Sequence, residues 1–273
     1  AVDAGGTIDT NALAQFALEP GCRLVSVMAA NNEIGTCMPL DVIGGMLSER
    51  RARPLFHTDA VQALGRVPLQ LRGWGIDLAS FSVHKLGGPV GVGVLYRRLG
   101  VELAALHFGG AQEGALRPGT ENVAGIVAAA LAVELAVREQ VEHAERLRRY
   151  SSGLWAALAA SLPALRLLGL PIDHARRLPG TLNILTSEHD GKVLVMRLDL
   201  AGLECSAGSA CASGSLEPSH VLLALGLDDR EARAGLRLSF GRESTWTDVE
   251  CAVDILRTTL GVARAKRAGD TGL

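Results

Sequence analysis

The sequence predicts an α/β fold built on a layered, mostly parallel sheet, followed by a smaller C-terminal α/β domain, and three observations carry that expectation. Short apolar runs alternate with helical stretches through the first hundred residues. A long helical segment with no Gly after Gly125 and no Pro then interrupts the alternation, and beyond it the pattern restarts.

In chain order, Leu24 to Met28, Leu55 to Thr58, Leu78 to Ser82 and Val90 to Tyr96 read as buried strands, with a helix over Asp41 to Arg51 between the first two. Residues Val2 to Leu18 read as the middle of an α/β unit rather than as a capped beginning. Glu121 to about Arg149 is rich in Ala, Val and Glu and predicts a helix, broken near Tyr150 to Gly153. A strand near Thr181 to Leu185, a helix near Gly191 to Ala201, a strand near Leu236 to Phe240 and a closing helix near Thr245 to Leu260 follow. The domain boundary is therefore placed at residues 139 and 140. The tail from Arg264 to Leu273 is charged, lacks apolar periodicity and is expected to be loose.

Composition narrows the function classes. With 27 Lys plus Arg against 29 Asp plus Glu, the net charge of -2 predicts neither a nucleic-acid footprint nor an anionic membrane surface, and favours a small-molecule or protein partner. The five cysteines form no CxxC pair, which argues against a disulfide framework or a zinc site and suits a reducing cytoplasm. No segment has the length of uncharged apolar sequence that spans a bilayer, and the first ten residues lack the pattern of a signal peptide, so a cytoplasmic protein is expected.

The sharpest local cluster is SFSVHKLGGPVGVG at 80–93, which sets Lys85 at the end of an apolar strand, beside a histidine and before a glycine-rich turn. A lysine that binds a carbonyl covalently needs a neutral amine part of the time, and partial burial or a cationic neighbour favours that form. A surface lysine on a turn is the other reading of the same residues. In FHTDAVQ at 56–62, a carboxylate at Asp59 can keep a bound pyridine nitrogen protonated while Gln62 donates to a ring hydroxyl; an Asp capping the next helix is the alternative.

NNEIG at 31–35 follows an apolar strand, where α/β folds build ligand sites, although it reads equally as a polar turn. GGAQEGALRPGT at 109–120 offers backbone donors, Arg117 and Thr120 to an anion. The run CSAGSACASGSLEPS at 205–219 surrounds Cys211 with small residues that have little to pack, which suits a loop carrying a thiolate between substrate and acceptor. Cys22, Cys37, Cys205 and Cys251 are read as inert buried side chains. His143, His174 and His189 are read as solvated, and Trp74, Trp155 and Trp246 as packing residues.

These clusters, in this order, resemble the pyridoxal 5'-phosphate-dependent cysteine desulfurases that supply sulfur for iron-sulfur clusters. That family lies within the fold-type I, class-V aminotransferase group, and the likeness is to its members with an extended cysteine loop. The likeness covers 25–35, 56–64, 77–96, 109–122, 180–184, 206–225 and 236–241, and the pairing of SVHK at 82–85 with the Cys211 loop is its most specific part. The resemblance implies that Lys85 holds the cofactor, Asp59 pairs with its pyridine nitrogen, Gln62 contacts the ring hydroxyl, and Ser82 and His84 contact the phosphate. It places Asn32 against cofactor and substrate, Arg237 on the substrate carboxylate, and Thr120 on the phosphate of the other subunit of a homodimer. Cys211 then takes the sulfur of L-cysteine as a persulfide, leaving L-alanine, and delivers it to a sulfur acceptor or iron-sulfur scaffold protein.

The family's chain begins well before Ala1, and its first third contributes a Gly-Thr phosphate cradle and a histidine stacked on the ring. The expectation is therefore an incomplete large domain with uncovered apolar surface, weakly active or inactive by itself. Gly114 stands where the family usually has arginine, and Phe108 where histidine is frequent. A non-catalytic fragment or scaffold, a selenocysteine lyase and an aminotransferase of the same fold are the competing readings, and the aminotransferase would not need Cys211.

Overall fold

The computed structural model describes residues 1–17, 19–49, 53–186, 190–208 and 217–269, with side chains through residue 261. The chain divides into two compact units. One comprises residues 10–30 and 39–141; the other comprises residues 1–9, 31–38 and 142–273.

The first unit is built on a four-stranded sheet in the order β1 (Leu24–Ser26), β2 (Leu55–Asp59), β3 (Leu78–Ser82) and β4 (Gly93–Arg97). β1, β2 and β3 are parallel, and β4 runs antiparallel to β3. This is the mostly parallel sheet the apolar runs predict. β4 starts three residues later than the sequence reading places it, because Val90 to Val92 belong to the glycine-rich turn that reverses the chain. The helices of this unit are α1 (Thr10–Phe16), α2 (Leu40–Ser48), α3 (Gln112–Ala115) and α4 (Val123–Arg138). Around the first residues the regular structure before α1 is a single antiparallel bridge, Val2 to Ile8. Gly44 of α2 is fixed by close approach, since a Cβ there would lie 1.8 Å from the Trp74 carbonyl oxygen.

One buried carboxylate ties this sheet together. Asp77, with no exposed side-chain surface, accepts from Arg53 through both oxygens (2.6 and 2.9 Å) and from the Phe56 amide (2.8 Å), and forms an ion pair with Arg98 (2.5 Å). Burial pushes its carboxyl upward, but the hydrogen bonds from Arg53 and Phe56 and the charges of Arg53 and Arg98 outweigh it and hold the pKa below the ordinary 3.8.

The second unit holds a three-stranded antiparallel sheet, β5 (Arg166–Leu167), β6 (Thr181–Leu185) and β7 (Gly235–Ser239), with β6 central and buried along its whole length. Its helices are α5 (Gln140–Ser161), α6 (Gly191–Leu200), α7 (His220–Ala224), α8 (Asp229–Arg233) and α9 (Trp246–Gly269). Leu147, Tyr150, Leu154 and Leu158 form the i, i+3, i+4 stripe of α5 in a core with Leu182, Ile184, Leu194, Leu198, Leu238 and Leu256.

The expected helix break at Tyr150 to Gly153 is not there. The helix runs through that stretch because Tyr150 is a core residue and Gly153 lets Trp246 pack against the backbone, a Cβ there being 2.6 Å from the Trp246 ring. The interruption falls instead at Glu139, which joins α4 to α5. α4 buries Ala129 and Ala132 in the four-stranded unit, whereas α5 buries its stripe in the other core. The closing helix also outruns its expected end at Leu260, continuing to Gly269 across the start of the tail expected to be loose.

Large apolar side chains stay exposed in the four-stranded unit, among them Leu24, Met28, Leu95, Val127 and Leu131. Among the described residues no helix is long and apolar enough to cross a membrane. Asp77→Ala should lower stability by about 3 kcal/mol, read from urea unfolding, since it strips a buried acceptor from two guanidinium groups and an amide. Because the folded-state pKa lies below 3.8, that contribution is full above about pH 4 and lost as the pH falls through the folded value, and the variant should lack this acid sensitivity.

Candidate active site

The carboxyl ends of adjacent parallel strands are where open α/β sheets present polar groups to ligands, and here β2 and β3 end in chemically useful residues. β2 closes on Asp59, which pairs in register with Ser80 of β3, and β3 runs two residues further to Ser82. Ser82 opens a 3-10 turn, Val83–Leu86, that carries His84 and Lys85. Gly87, at φ 78°, ends the turn in a left-handed conformation natural to glycine.

The turn is anchored chiefly by one fully buried side chain, with Leu86 packed beside it. Val83 is fully buried against Ala129 and Ala132 of α4, while His84 and Lys85 on the same turn are exposed. The sequence reading has the lysine partly enclosed; on this turn it is Val83 and Leu86, not Lys85, that pack toward the core. Asp59 is exposed, Gln62 is half-buried just beyond β2, and Thr120 is exposed between α3 and α4. Asp59 Oδ1 accepts from the Val61 amide at 2.9 Å, a local turn bond rather than the helix cap of the alternative reading, since turns and no helix follow β2.

A residue the sequence reading passed over lies on the same strand face as Asp59. His57, two positions earlier on β2, bridges three parallel strands: Nδ1 lies 2.7 Å from Ser26 Oγ of β1, and Nε2 lies 2.9 Å from Ser80 Oγ of β3. Burial pushes its pKa below 6.5, and the Asp59 charge offsets part of that shift. A histidine on one strand with a serine on each neighbouring strand, Ser26 in register with His57 and Ser80 in register with Asp59, was the available signal.

Asn32 and Arg237 come together inside the other unit. The Arg237 guanidinium donates to the Asn32 carbonyl oxygen at 3.0 Å and to Ser206 Oγ at 3.3 Å, and the backbones of Ser206 and Arg237 exchange two hydrogen bonds. Cys211 lies outside the described residues, as does His189.

Set beside known proteins, residues 1–251 match the family described as aminotransferase class-V. The chain belongs to that family. Cysteine desulfurase IscS of Clostridium botulinum is 45% identical over 233 residues, covering 85% of this class-V chain and 58% of the relative. The IscS-like cysteine desulfurase of Mycobacterium tuberculosis is 40% identical over 266 residues, covering 97% of the chain and 66% of the relative. The class-V chain thus spans about three-fifths of the length of these curated relatives. Among solved structures, a NifS-like protein superimposes with a TM-score of 0.83 at 34% identity, over 96% of this chain and 67% of that one. A NifS-like protein from Rickettsia africae gives 0.85 at 28% identity, over 95% and 68%. The fold is accordingly the fold-type I transferase architecture, with the large-domain sheet present in part.

The remaining cysteines of the class-V chain depart partly from the inert, buried reading. Cys37 is buried and its thiol is pushed up to about 11, by burial against the opposing charges of Arg148 and Arg176. Cys205 is half-buried and also raised to about 11, by burial and then by Asp199. Cys22 is only half-buried, and Cys251 is exposed because it falls off the α9 stripe of Val249, Ala252, Val253 and Leu256. His143 and His174 are half-buried rather than solvated: His143 Nδ1 lies 3.1 Å from the Arg146 guanidinium, and His174 Nδ1 accepts from the Arg176 amide.

The His57 strut generates a pH dependence. Its folded-state pKa is depressed, so its contribution to stability is full above about pH 6.5 and lost as the pH falls through the folded value. The stability margin of the parent over His57→Phe, read from urea midpoints, should shrink below pH 6.5, and a constant margin would contradict the strut.

Proposed function

We propose that this chain carries the catalytic residues of a pyridoxal 5'-phosphate-dependent cysteine desulfurase. One observation carries the reading: Lys85 is the single lysine of the four-stranded unit, and it follows the end of a parallel strand whose neighbour ends in Asp59. An amine, a carboxylate, an amide and two phosphate-binding candidates, Ser82 and His84, thus cluster in sequence around the carboxyl ends of β2 and β3, a donor set that suits an aldehyde-bearing pyridinium phosphate. Relatives named as cysteine desulfurases, 45% and 40% identical, support the same reading.

When bound, the cofactor supplies an electron sink that weakens the Cβ–Sγ bond of an attached L-cysteine. Lys85 holds the cofactor through its amine and moves the proton at the substrate Cα. Asp59 keeps the ring nitrogen protonated with the carboxylate edge that the Val61 amide does not occupy. Gln62 takes the ring hydroxyl, and Ser82 and His84 take the phosphate, with Thr120 serving the phosphate of a second copy in a homodimer. Asn32 and Arg237 orient the substrate carboxylate. The Cys211 thiolate attacks Sγ, the carbon–sulfur bond breaks, and a proton ends on the substrate carbon. L-cysteine and the Cys211 thiol thereby give L-alanine and a Cys211 persulfide, with every atom accounted for.

The persulfide passes to a sulfur acceptor, with an iron-sulfur scaffold protein as the proposed destination. The free thiols of Cys22, Cys37, Cys205 and Cys251 support a reducing compartment such as the cytoplasm. Residues 1–139 supply the cofactor side of the site, and residues 140–273 supply the cysteine loop.

The test adds pyridoxal phosphate to the purified chain, records its visible absorption, then adds L-cysteine and assays alanine and sulfide. Visible absorbance lost in Lys85→Ala, with alanine formation lost at least a hundredfold in Cys211→Ala, is the expected result. Cysteine turnover that survives Cys211→Ala would favour an aminotransferase of the same fold, or a lyase where alanine is still the product. Absence of bound cofactor would make the chain a non-catalytic portion.

A further inference from the structure

Glu33 is among the most buried polar residues of the three-stranded unit, at 1% exposure, and no role assigned above uses it. Its Oε2 accepts a 2.6 Å hydrogen bond from Ser219 Oγ, at the short end of the O–H···O range. The same Ser219 oxygen caps α7 by accepting from the Leu222 amide at 3.3 Å. On the other flank of the small-residue run, a Cβ built on Gly208 would lie 3.7 Å from Ser219 Cβ and 3.9 Å from Glu33 Oε2. Gly208 itself sits at φ 74°, which favours glycine. The two flanks of the Cys211 segment therefore meet at one buried carboxyl group.

The backbone that carries this side chain is itself held by four hydrogen bonds from three side chains. Asn31 Oδ1 accepts from the amides of Glu33 (2.9 Å) and Ile34 (3.0 Å), Asn183 of the buried central strand donates to the Glu33 carbonyl (3.3 Å), and Arg237 donates to the neighbouring Asn32 carbonyl. Ser206, two residues before Gly208, is tied to Arg237 by its paired backbone hydrogen bonds. Segment 31–36 thus links β6, β7 and both flanks of the run around Cys211.

We propose that Glu33 is a positioning residue that fixes the base of the Cys211 segment through Ser219 and Gly208, and so sets where the thiol can act. A base displaced by an ångström or two displaces the segment it carries. The structural tie stands on geometry alone; its catalytic consequence rests on the desulfurase reading.

The test compares Glu33→Ala, Ser219→Ala, their double variant and Glu33→Gln, which keeps an acceptor for the Ser219 hydroxyl. Hydrogen exchange should speed up several-fold at the amides of 206–208 and 219–223 in both alanine variants, without adding in the double variant, while amides of the four-stranded unit and the Glu33→Gln chain stay near the parent. With pyridoxal phosphate and L-cysteine, kcat for alanine should fall about tenfold or more in the alanine variants at unchanged KM and unchanged cofactor absorbance. Unchanged flank exchange, or exchange raised uniformly through the unit, would overturn the tie. Altered flank exchange with an unchanged kcat in an active enzyme would overturn its catalytic consequence. A parent chain that forms no alanine would count against the desulfurase reading, and the exchange result would still decide the tie.

Discussion

The parallel pairing of β2 with β3 is the constraint on which the candidate site depends. Parallel strands end on the same edge of the sheet, so the register that sets Asp59 beside Ser80 also brings Ser82 and the Lys85 turn to the edge where Asp59 ends. A one-residue slip would turn Asp59 to the opposite face and break the His57 bridge to Ser26 and Ser80. Two polar devices hold that register: the His57 strut on one face, and Asp77 at the start of β3, clamped by Arg53, Arg98 and the Phe56 amide. The apolar contribution comes from Phe56 and Ala79 within the sheet and from the Val83 contact with α4.

The three-stranded unit solves a different problem. It gathers Asn32, Glu33, Ser206, Ser219 and Arg237 from three distant stretches of sequence onto β6 and β7. Short segments with no regular structure cannot hold such a constellation by themselves. They are fixed here because buried side chains, notably Asn183 and Asn31, exchange hydrogen bonds with their backbones.

Much of this was legible in the sequence, for identifiable reasons. Strands such as Leu55–Asp59, Leu78–Ser82 and Thr181–Leu185 are short apolar runs bounded by turn residues, and their ends carry the polar groups that marked the Lys85 and Asp59 clusters. The helix break was misplaced because Tyr150, Ser151, Ser152 and Gly153 look like a turn in isolation; only the Trp246 contact and the Tyr150–Phe240 ring packing, at 5.7 Å, explain a helix there. Residues 1–9 and 31–38 group with the C-terminal unit through long-range pairings such as Thr36 with Arg177, which no local pattern announces. Glu33 sat in view within a polar stretch, but its partner lies 186 residues away. The family resemblance assigned roles to Asn32 and Arg237, and the structure supplies the bond that joins them.

The central claim is that Lys85, and no other amine of this chain, holds a pyridoxal group. The chain has three lysines, Lys85, Lys192 and Lys266, so the claim has a direct measurement: incubation with pyridoxal phosphate, reduction with borohydride, and peptide mapping of the reduced adduct by mass spectrometry. The account predicts saturable labelling of Lys85 at low cofactor concentration, weakened by Asp59→Ala. Labelling spread over Lys192, Lys266 and the N-terminal amine in proportion to exposure, and indifferent to Asp59, would contradict it.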